Sequence, residues 1–345
     1  MTKRILALAL TCALVCALGT GCQKEPEKAE TTIFAMDTVM TLTVYGEGGQ
    51  EAVDRGVERI YDLEHRLSAT GEDSEIYALN HREGGAYTLS AETAGLLGDA
   101  LDLCAATGGV LDVTAYPAVR AWGFTTGEYR LPEQDELDAL AANIDYSAVE
   151  LDRSSGLVTL PAGMELDLGA VAKGRAGDEL AALLREAGIT SALLDLGQST
   201  ILALGPKPDG SPWRIGVQDP AGEGYLGVLE LKDMAMGTSG GYQRYFEEDG
   251  VRYWHILDPD TAAPARSGLA SVTVVGPSGL TCDGLSTALF VMGLEEGTSF
   301  WRSHRSLDFD VLFLTDDGSI FITSGLKGSF SLAQGYQDRE VTVLS

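Results

Sequence analysis

Three short stretches carry residue types able to do polar chemistry. The first is DLGAVAKG, Asp167 to Gly174. It reads as a strand ending in a carboxylate, a glycine turn, and a helix with Lys173 in its first turns. Helix starts attract anions, because their leading N–H groups point outward unpaired and the macrodipole is positive there. A carboxylate at the same place as Lys173 makes sense if a metal, or a ligand with both donors and phosphates, sits between them. The stretch is also readable as an Asp cap on an amphipathic helix with a surface lysine. It is not a P-loop, since G-x-x-x-x-G-K-[ST] is absent.

The second is CDGLSTAL. On a helix, Asp283, Ser286 and Thr287 stand at i, i+3 and i+4 and share one face. A carboxylate with hydroxyls is a hard-oxygen set suited to Mg²⁺, which keeps waters and shares ligand phosphates. The alternative is an acidic first turn with the threonine bonded back to its own helix. The third is SGGYQRYFEEDGVRYWHILDPDT, which reads as a hairpin. Of the chain's four histidines, only His255 lies in an apolar strand pattern. At a strand end facing a cleft, a neutral imidazole could take a proton from a hydroxyl; a core histidine bonded to backbone is the other reading. Gly237 to Gly241 matches G-x-S-x-G, but no strand–turn–helix context surrounds it, so a nucleophile elbow is not expected.

These residues need elements to hold them. Ile33 to Tyr45 alternates like a strand interrupted at Met36 and Asp37. Glu51 to Leu67 has apolar residues at helical spacing. Ser90 caps a helix running to about Ala106, closed by Gly108-Gly109. Further helices are expected over Pro132–Ala142, Ala170–Ala187 and Gly279–Met292. Strand-like runs are Ala192–Asp195, Ile201–Leu204, Arg214–Val217, Leu226–Leu231, Tyr253–Leu257, Val272–Val275, Val311–Leu314 and Ile320–Thr323. Helices and strands intermix without a β-α-β rhythm, so the expected class is α+β.

The chain has 345 residues and a formal charge of −27. That argues against broad nucleic-acid binding and against docking on anionic lipid by charge. Residues 1–21 read as a signal: Lys3 and Arg4, then a short apolar run to Leu18, then LGTGC. The ending resembles a bacterial lipoprotein signal with lipidation of Cys22, and residues 22–32 read as a polar tether. The expected catalytic domain is therefore 33–345. Cys104 and Cys282 remain in it, too few for a disulfide scaffold, and no zinc-type spacing occurs.

In order along the chain, MDT (Met36 to Thr38), DVT (Asp112 to Thr114), WGF (Trp122 to Phe124), DLGAVAKG, TSGGYQRYF, HILDP, SVTVV and CDGLSTAL resemble the ApbE-type FAD:protein FMN transferases. The resemblance runs from about residue 32 to the end. It implies a single α+β unit of two interlocked lobes with FAD in the cleft. It also implies Mg²⁺-dependent transfer of the FMN half of FAD to a Thr or Ser hydroxyl of an acceptor protein, releasing AMP.

By the same resemblance Asp283, Thr287 and the carbonyl of Ala170 are metal ligands, with Ser286 adjacent. Met36, Val110, Leu111, Asp112, Asp167, Lys173 and Ile256 contact FAD, and His255 is the base. Asn80, Tyr242 and Arg244 are placed near the cleft. The implied acceptors are extracytoplasmic FMN-binding proteins, such as subunits of Rnf- or Nqr-type redox pumps or extracellular electron-transfer flavoproteins, reached by a membrane-anchored lipoprotein. An FAD pyrophosphatase and a non-catalytic flavin-binding lipoprotein are the alternatives. Two departures stand out: Gln198 and Ala262 occupy places where the family pattern has glycine.

Overall fold

The computed structural model describes residues 26–82, 85–222 and 224–345. The signal, Cys22 and the first tether residues lie outside them. The rest is mixed α and β in one unit, as the intermixed patterns predict. Nine strands form the main sheet: β1 (Lys28–Ala35), β2 (Thr38–Tyr45), β3 (Ser191–Leu196), β4 (Thr200–Leu204), β5 (Met234–Gly240), β6 (Leu269–Gly276), β7 (Asp310–Thr315), β8 (Ile320–Thr323) and β9 (Val341–Leu344). Their order in space follows their order in the chain, and only the last pair is parallel. Each excursion between strands can therefore add a helix or a lobe without disturbing the pairing.

Strand alternation splits the side chains between two faces. Leu202, Leu204, Val311 and Phe313 pack with the helices, while Ile201, Ala203, Leu312 and Leu314 pack against a small sheet. That sheet is made of Trp213–Gln218, Tyr225–Leu231 and Phe330–Leu332. With both faces covered, the central strands read as unbroken apolar runs such as TILAL, buried along its whole length.

Four long helices cover the other face: α1 (Gly49–Leu67), α2 (Ala91–Ala106), α3 (Gly169–Glu186) and α4 (Gly279–Ser303). In α1, Val53, Gly56, Ile60, Leu63 and Leu67 form the buried stripe. Ser90 caps α2 by accepting the Thr93 N–H. At the start of α4 Ser278 accepts from Thr281, and Asp178 of α3 accepts from the Gly279 and Leu280 amides at 2.6 and 3.0 Å. This ties the beginning of α4 to the middle of α3.

Four expectations are corrected. The tether ends sooner, because Lys28–Thr32 belongs to β1, where Thr32 and Glu30 bond Thr41 and Thr43 across the hairpin. The α4 pattern does not stop at Met292: Gly293 breaks the helical dihedrals, and a second segment carries Phe300 and Trp301 into the core. Tyr253–Leu257 is two short strands, Val251–Trp254 and Leu257–Asp258, with His255 between them. The residues before Asp167 are extended but unpaired as a strand. They are held instead by Asn80, whose side chain bonds the Leu166 amide and carbonyl at 2.7 and 2.8 Å, and by the Asp167 N–H to Val113 carbonyl bond.

Candidate active site

A cleft of about 340 Å³ opens where the starts of α3 and α4 meet the β1–β2 turn and the segment from Gln243 to Pro259. Met36, Val110, Leu111, Asp112, Asp167, Ala170, Lys173, His255, Ile256, Asp283 and Thr287 all line it. Residues more than 240 positions apart are thus brought to one wall.

The floor is built on Asp283. Its carboxylate is buried, with Oδ2 accepting from the Gly174 amide at 2.9 Å and Oδ1 from the Thr200 hydroxyl at 2.9 Å. In a regular helix the Gly174 N–H points at the carbonyl of residue 170. The Ala170 carbonyl and the Asp283 carboxylate therefore converge on one amide. Lys173 Nζ stands 3.7 Å from Asp283 Oδ2, supplying a positive charge at the same spot. Close approach of the helices demands glycine, since a Cβ on Gly174 would lie 2.2 Å from the Gly279 carbonyl oxygen.

Thr287 and Ser286 part company. Thr287 faces the cleft and shares a 3.2 Å hydrogen bond with Ser239 of β5. Ser286 is fully buried, and its hydroxyl is bound to its own helix at the Asp283 carbonyl, 2.8 Å, and to Ser239 at 2.9 Å. The hydroxyl bonded back to its own helix is that of Ser286 and not of Thr287, so Ser286, expected beside the metal, stands behind the cleft lining. Ser239 itself lies inside β5, so GTSGG forms no nucleophile elbow.

Asp167 accepts from the Gly169 amide at 2.8 Å and so closes the turn into α3. Desolvation holds its carboxyl above the usual carboxylate range, opposed by that hydrogen bond and by the Arg244 and Lys173 charges. Asp112 is turned inward: Thr114 N–H and Oγ1 bond one oxygen, and the Tyr146 N–H bonds the other. Its carboxyl is also raised by desolvation. It ties the turn at Thr114 to Tyr146 rather than offering a free carboxylate.

His255 follows the Tyr245–Glu248/Val251–Trp254 hairpin, which turns at Asp249-Gly250. Its Nδ1 sits 3.1 Å from the Arg244 carbonyl. A carbonyl only accepts, so Nδ1 carries the proton and Nε2 is left as the basic nitrogen. The ring keeps some surface on the cleft wall but is closely surrounded, and desolvation pushes its pKa down to about 4, with the nearby Arg244 and Lys173 charges adding to the effect. Beneath it Phe124, Trp122, Phe246 and Tyr253 form an aromatic wedge, and Trp122 donates to the Ala262 carbonyl at 2.8 Å.

Asn80 is outside the cleft lining, spent on holding Leu166, and Tyr242 packs over Gly240 rather than into the opening. Residues the sequence reading missed include Asp37, Ser199, Thr238 and Ser239. Asp37, Thr238 and Ser239 stand inside the MDT and TSGGYQRYF stretches, and Ser199 follows Gln198, but nothing in the residue pattern marks them as cleft residues. A second cavity of about 190 Å³ shares Met36, Asp167, Lys173 and Arg244 with the cleft and continues toward Ser68–Thr70. A third cavity, about 530 Å³, is lined by Asp112, Asp138, Asp145, Asp258 and Asp260, a wall that repels phosphates.

Among the described residues no group of three or more His, Cys, Asp or Glu side chains is placed to hold a metal ion by itself. The oxygen set at the floor is one carboxylate, one hydroxyl and one carbonyl. Those residues fit a hard divalent cation that completes its shell with water and ligand phosphate. Lys173, Arg244 and the start of α3 supply positive potential beside it. A cleft with such a floor and an imidazole on its wall is of the class suited to phosphoryl transfer on a nucleotide.

The ApbE family model matches residues 36–313. The chain belongs to the ApbE family. It is 33% identical over 311 residues to a protein of Vibrio cholerae named FAD:protein FMN transferase, covering 86% of this chain and 91% of that one. A Treponema pallidum protein of the same name is 33% identical over 342 residues, covering 91% and 92%. The ApbE protein of Thermotoga maritima superposes with a TM-score of 0.82 at 30% identity, covering 88% of this chain and 99% of that one. The flavin transferase ApbE of Vibrio cholerae gives a TM-score of 0.78 at 30% identity, with coverages of 88% and 99%.

Proposed function

We infer that this chain is an FAD:protein FMN transferase, an enzyme that moves the FMN half of FAD onto a Thr or Ser hydroxyl of an acceptor protein and releases AMP. The observation that carries the reading is the single cleft in which the α3 start, Lys173, Asp283, Thr287 and His255 converge. The family membership and the names of the relatives support it.

The reaction exchanges one phosphorus–oxygen bond for another. The acceptor hydroxyl oxygen attacks the FMN phosphorus, and the bond to the AMP phosphate breaks. The hydroxyl proton goes to His255 Nε2, held in the receptive tautomer by the Arg244 carbonyl. AMP leaves with the bridging oxygen. Lys173, Arg244 and the α3 amides hold the pyrophosphate, and Met36, Val110, Leu111, Asp167 and Ile256 shape the pocket for the flavin and adenine ends. Ala170, Asp283 and Thr287 would hold Mg²⁺, which when bound supplies charge neutralisation for the pyrophosphate and the departing AMP. Most of the rate then comes from positioning and charge.

The acceptor we propose is an extracytoplasmic FMN-binding domain, of the kind found in Rnf- or Nqr-type subunits or extracellular electron-transfer flavoproteins. The enzyme would reach it while anchored outside the cytoplasm through lipidated Cys22. The deciding experiment incubates residues 23–345 with FAD, Mg²⁺ and such a domain carrying a threonine. Flavin fluorescence in the denatured acceptor band, dependent on Mg²⁺ and matched by AMP, is expected. AMP and free FMN with a dark band would make the chain a pyrophosphatase. Bound FAD left intact would make it a flavin-binding protein without turnover.

A further inference from the structure

We propose that the tip of the β1–β2 hairpin, centred on Phe34 and Val39, is the surface on which the acceptor protein docks. The proposal rests on the transferase reading, which requires a folded protein to present a hydroxyl at the cleft.

Phe34 is 66% exposed, the largest value among the bulky apolar side chains of the described residues, and Val39 is 57% exposed. The register pairs the two directly across the hairpin, so their side chains lie together on one face. The next pairs on that face are polar: Thr32 with Thr41 and Glu30 with Thr43, hydrogen-bonded at 3.1 and 2.8 Å. The result is an apolar spot bordered by a polar rim, which is the arrangement of an interface hot spot.

The spot is continuous with the cleft. Two residues beyond Phe34 the chain enters the Met36–Asp37 turn, and both turn residues line the cleft. Their φ values, 48° and 58°, are left-handed at both positions, although neither is glycine or asparagine. Such a turn costs conformational energy and persists only where the surroundings hold it. Here the Met36 amide donates to Glu64 Oε1 of α1 at 2.6 Å. The tip is thus pinned in place at the rim instead of swinging free.

Distance completes the argument. A stable protein–protein contact covers roughly 800 Å² on each partner, a disc about 16 Å in radius. Phe34 is three residues from Asp37, which at roughly 3.3 Å per residue puts them at most about 10 Å apart. A footprint of that radius centred on the cleft beside Asp37 reaches Phe34 and Val39. The partner surface that fits is apolar and uncharged around the acceptor hydroxyl. Its grip does not depend on charge, which matters on a chain of formal charge −27.

The test compares the wild type with the double variant Phe34→Ser, Val39→Ser, and with Tyr225→Ser as a control. Tyr225 is 62% exposed on the small sheet, outside the cleft lining. The probe is the FMN-binding domain of an Nqr-type subunit with its acceptor threonine. We expect kcat/KM for this domain to fall at least tenfold in the double variant, through KM, with FAD affinity and Tm unchanged and Tyr225→Ser like the wild type. Equal kcat/KM in the double variant overturns the proposal. So does a matching loss of FAD affinity, which would mean that the pair shapes the cleft. So does a wild-type dimer in sedimentation that the double variant dissolves without change in kcat/KM, since a second copy then occupies the spot. Absence of transfer by the wild type itself sinks the transferase reading and this proposal with it.

Discussion

The Gly174 amide and the Asp283 carboxylate meet at 2.9 Å where the starts of two helices cross. That bond gives Asp283 two duties. It offers oxygen to the cleft, and it satisfies a buried N–H that no water reaches. The two duties separate in mutants. Asp283→Ala leaves the Thr200 hydroxyl unpaired and takes from the Gly174 amide the carboxylate it shares with the Ala170 carbonyl, at a cost of about 1–3 kcal/mol. Asp283→Asn keeps an acceptor for Gly174 and reverses the second bond, its amide donating to the Thr200 hydroxyl that donates in the wild type, so its Tm stays near the wild type. Both lose Mg²⁺-dependent turnover, by about 10²-fold or more. Melting curves beside FMN-transfer rates distinguish the two. Full activity in Asp283→Asn would remove the metal role from this residue.

His255 sets the expected pH behaviour. Its pKa is pushed down to about 4 by desolvation, with the nearby positive charges adding. The base is therefore already neutral well below pH 6, and kcat/KM in the free enzyme should hold on acidification until about pH 4 as far as this group is concerned. The stability sign follows from the same shift. Between the ordinary histidine value near 6.5 and about 4, the unfolded chain binds the proton and the folded chain does not. This group's contribution to stability is thus complete above about 6.5 and is lost as pH falls toward 4. His255→Gln should flatten that slope and slow transfer by about 10²–10⁴-fold while FAD still binds. Loss of FAD binding in His255→Gln would make the ring a structural element.

Much of the cleft was legible because its parts are short and local. DLGAVAKG announces a helix start, and helical spacing puts Asp283 and Thr287 on one side of α4. The same spacing overreached at Ser286. Successive helix residues are about 100° apart, so Ser286 and Thr287 cannot both face one point, and periodicity does not say which turns away. Ser239 and Thr200, which hold Thr287 and Asp283, were illegible for another reason. They come from neighbouring strands of the sheet, β5 and β4, and only the pairing of those strands beside α4 makes them partners. The β1 start is hard to read because the inward positions of KAETT are only Ala29 and Thr31, too small or too polar to mark an apolar face, although the burial does alternate.

The two departures from the family's glycines land on left-handed backbone: Gln198 at φ 64° and Ala262 at φ 53°. A residue with a Cβ is disfavoured there by about 1–2 kcal/mol, of which glycine's larger unfolded entropy returns part. Gln198 is exposed, so Gln198→Gly should gain about 0.5–1 kcal/mol and raise Tm by roughly 1–2 °C. Ala262 is fully buried. Removing its methyl forfeits about 0.8 kcal/mol of burial, which offsets the backbone gain and leaves Ala262→Gly near neutral. Thermal melts of both variants check the pair. A destabilised Gln198→Gly would show that the side chain holds the turn by contacts of its own.

Ser239 tests whether the oxygen set depends on its supports. Its hydroxyl touches both Ser286, at 2.9 Å, and Thr287, at 3.2 Å. Through the first contact it is locked to α4; through the second it fixes where the Thr287 oxygen points. Partners of this kind are typically worth about 10–100-fold in metal affinity or activity. Ser239→Ala should therefore weaken Mg²⁺ by about tenfold, read both as a shifted Mg²⁺ dependence of FMN transfer and by calorimetric titration of the protein with FAD present. Ser239→Thr, which restores a hydroxyl, should recover part of the affinity. Ser286→Ala removes a hydroxyl that faces no ligand and should shift the Mg²⁺ dependence less than Ser239→Ala. If Ser286→Ala proved the more damaging, the metal would have to sit deeper, on the Ser286 side of the helix, and the assignment of Thr287 would fall.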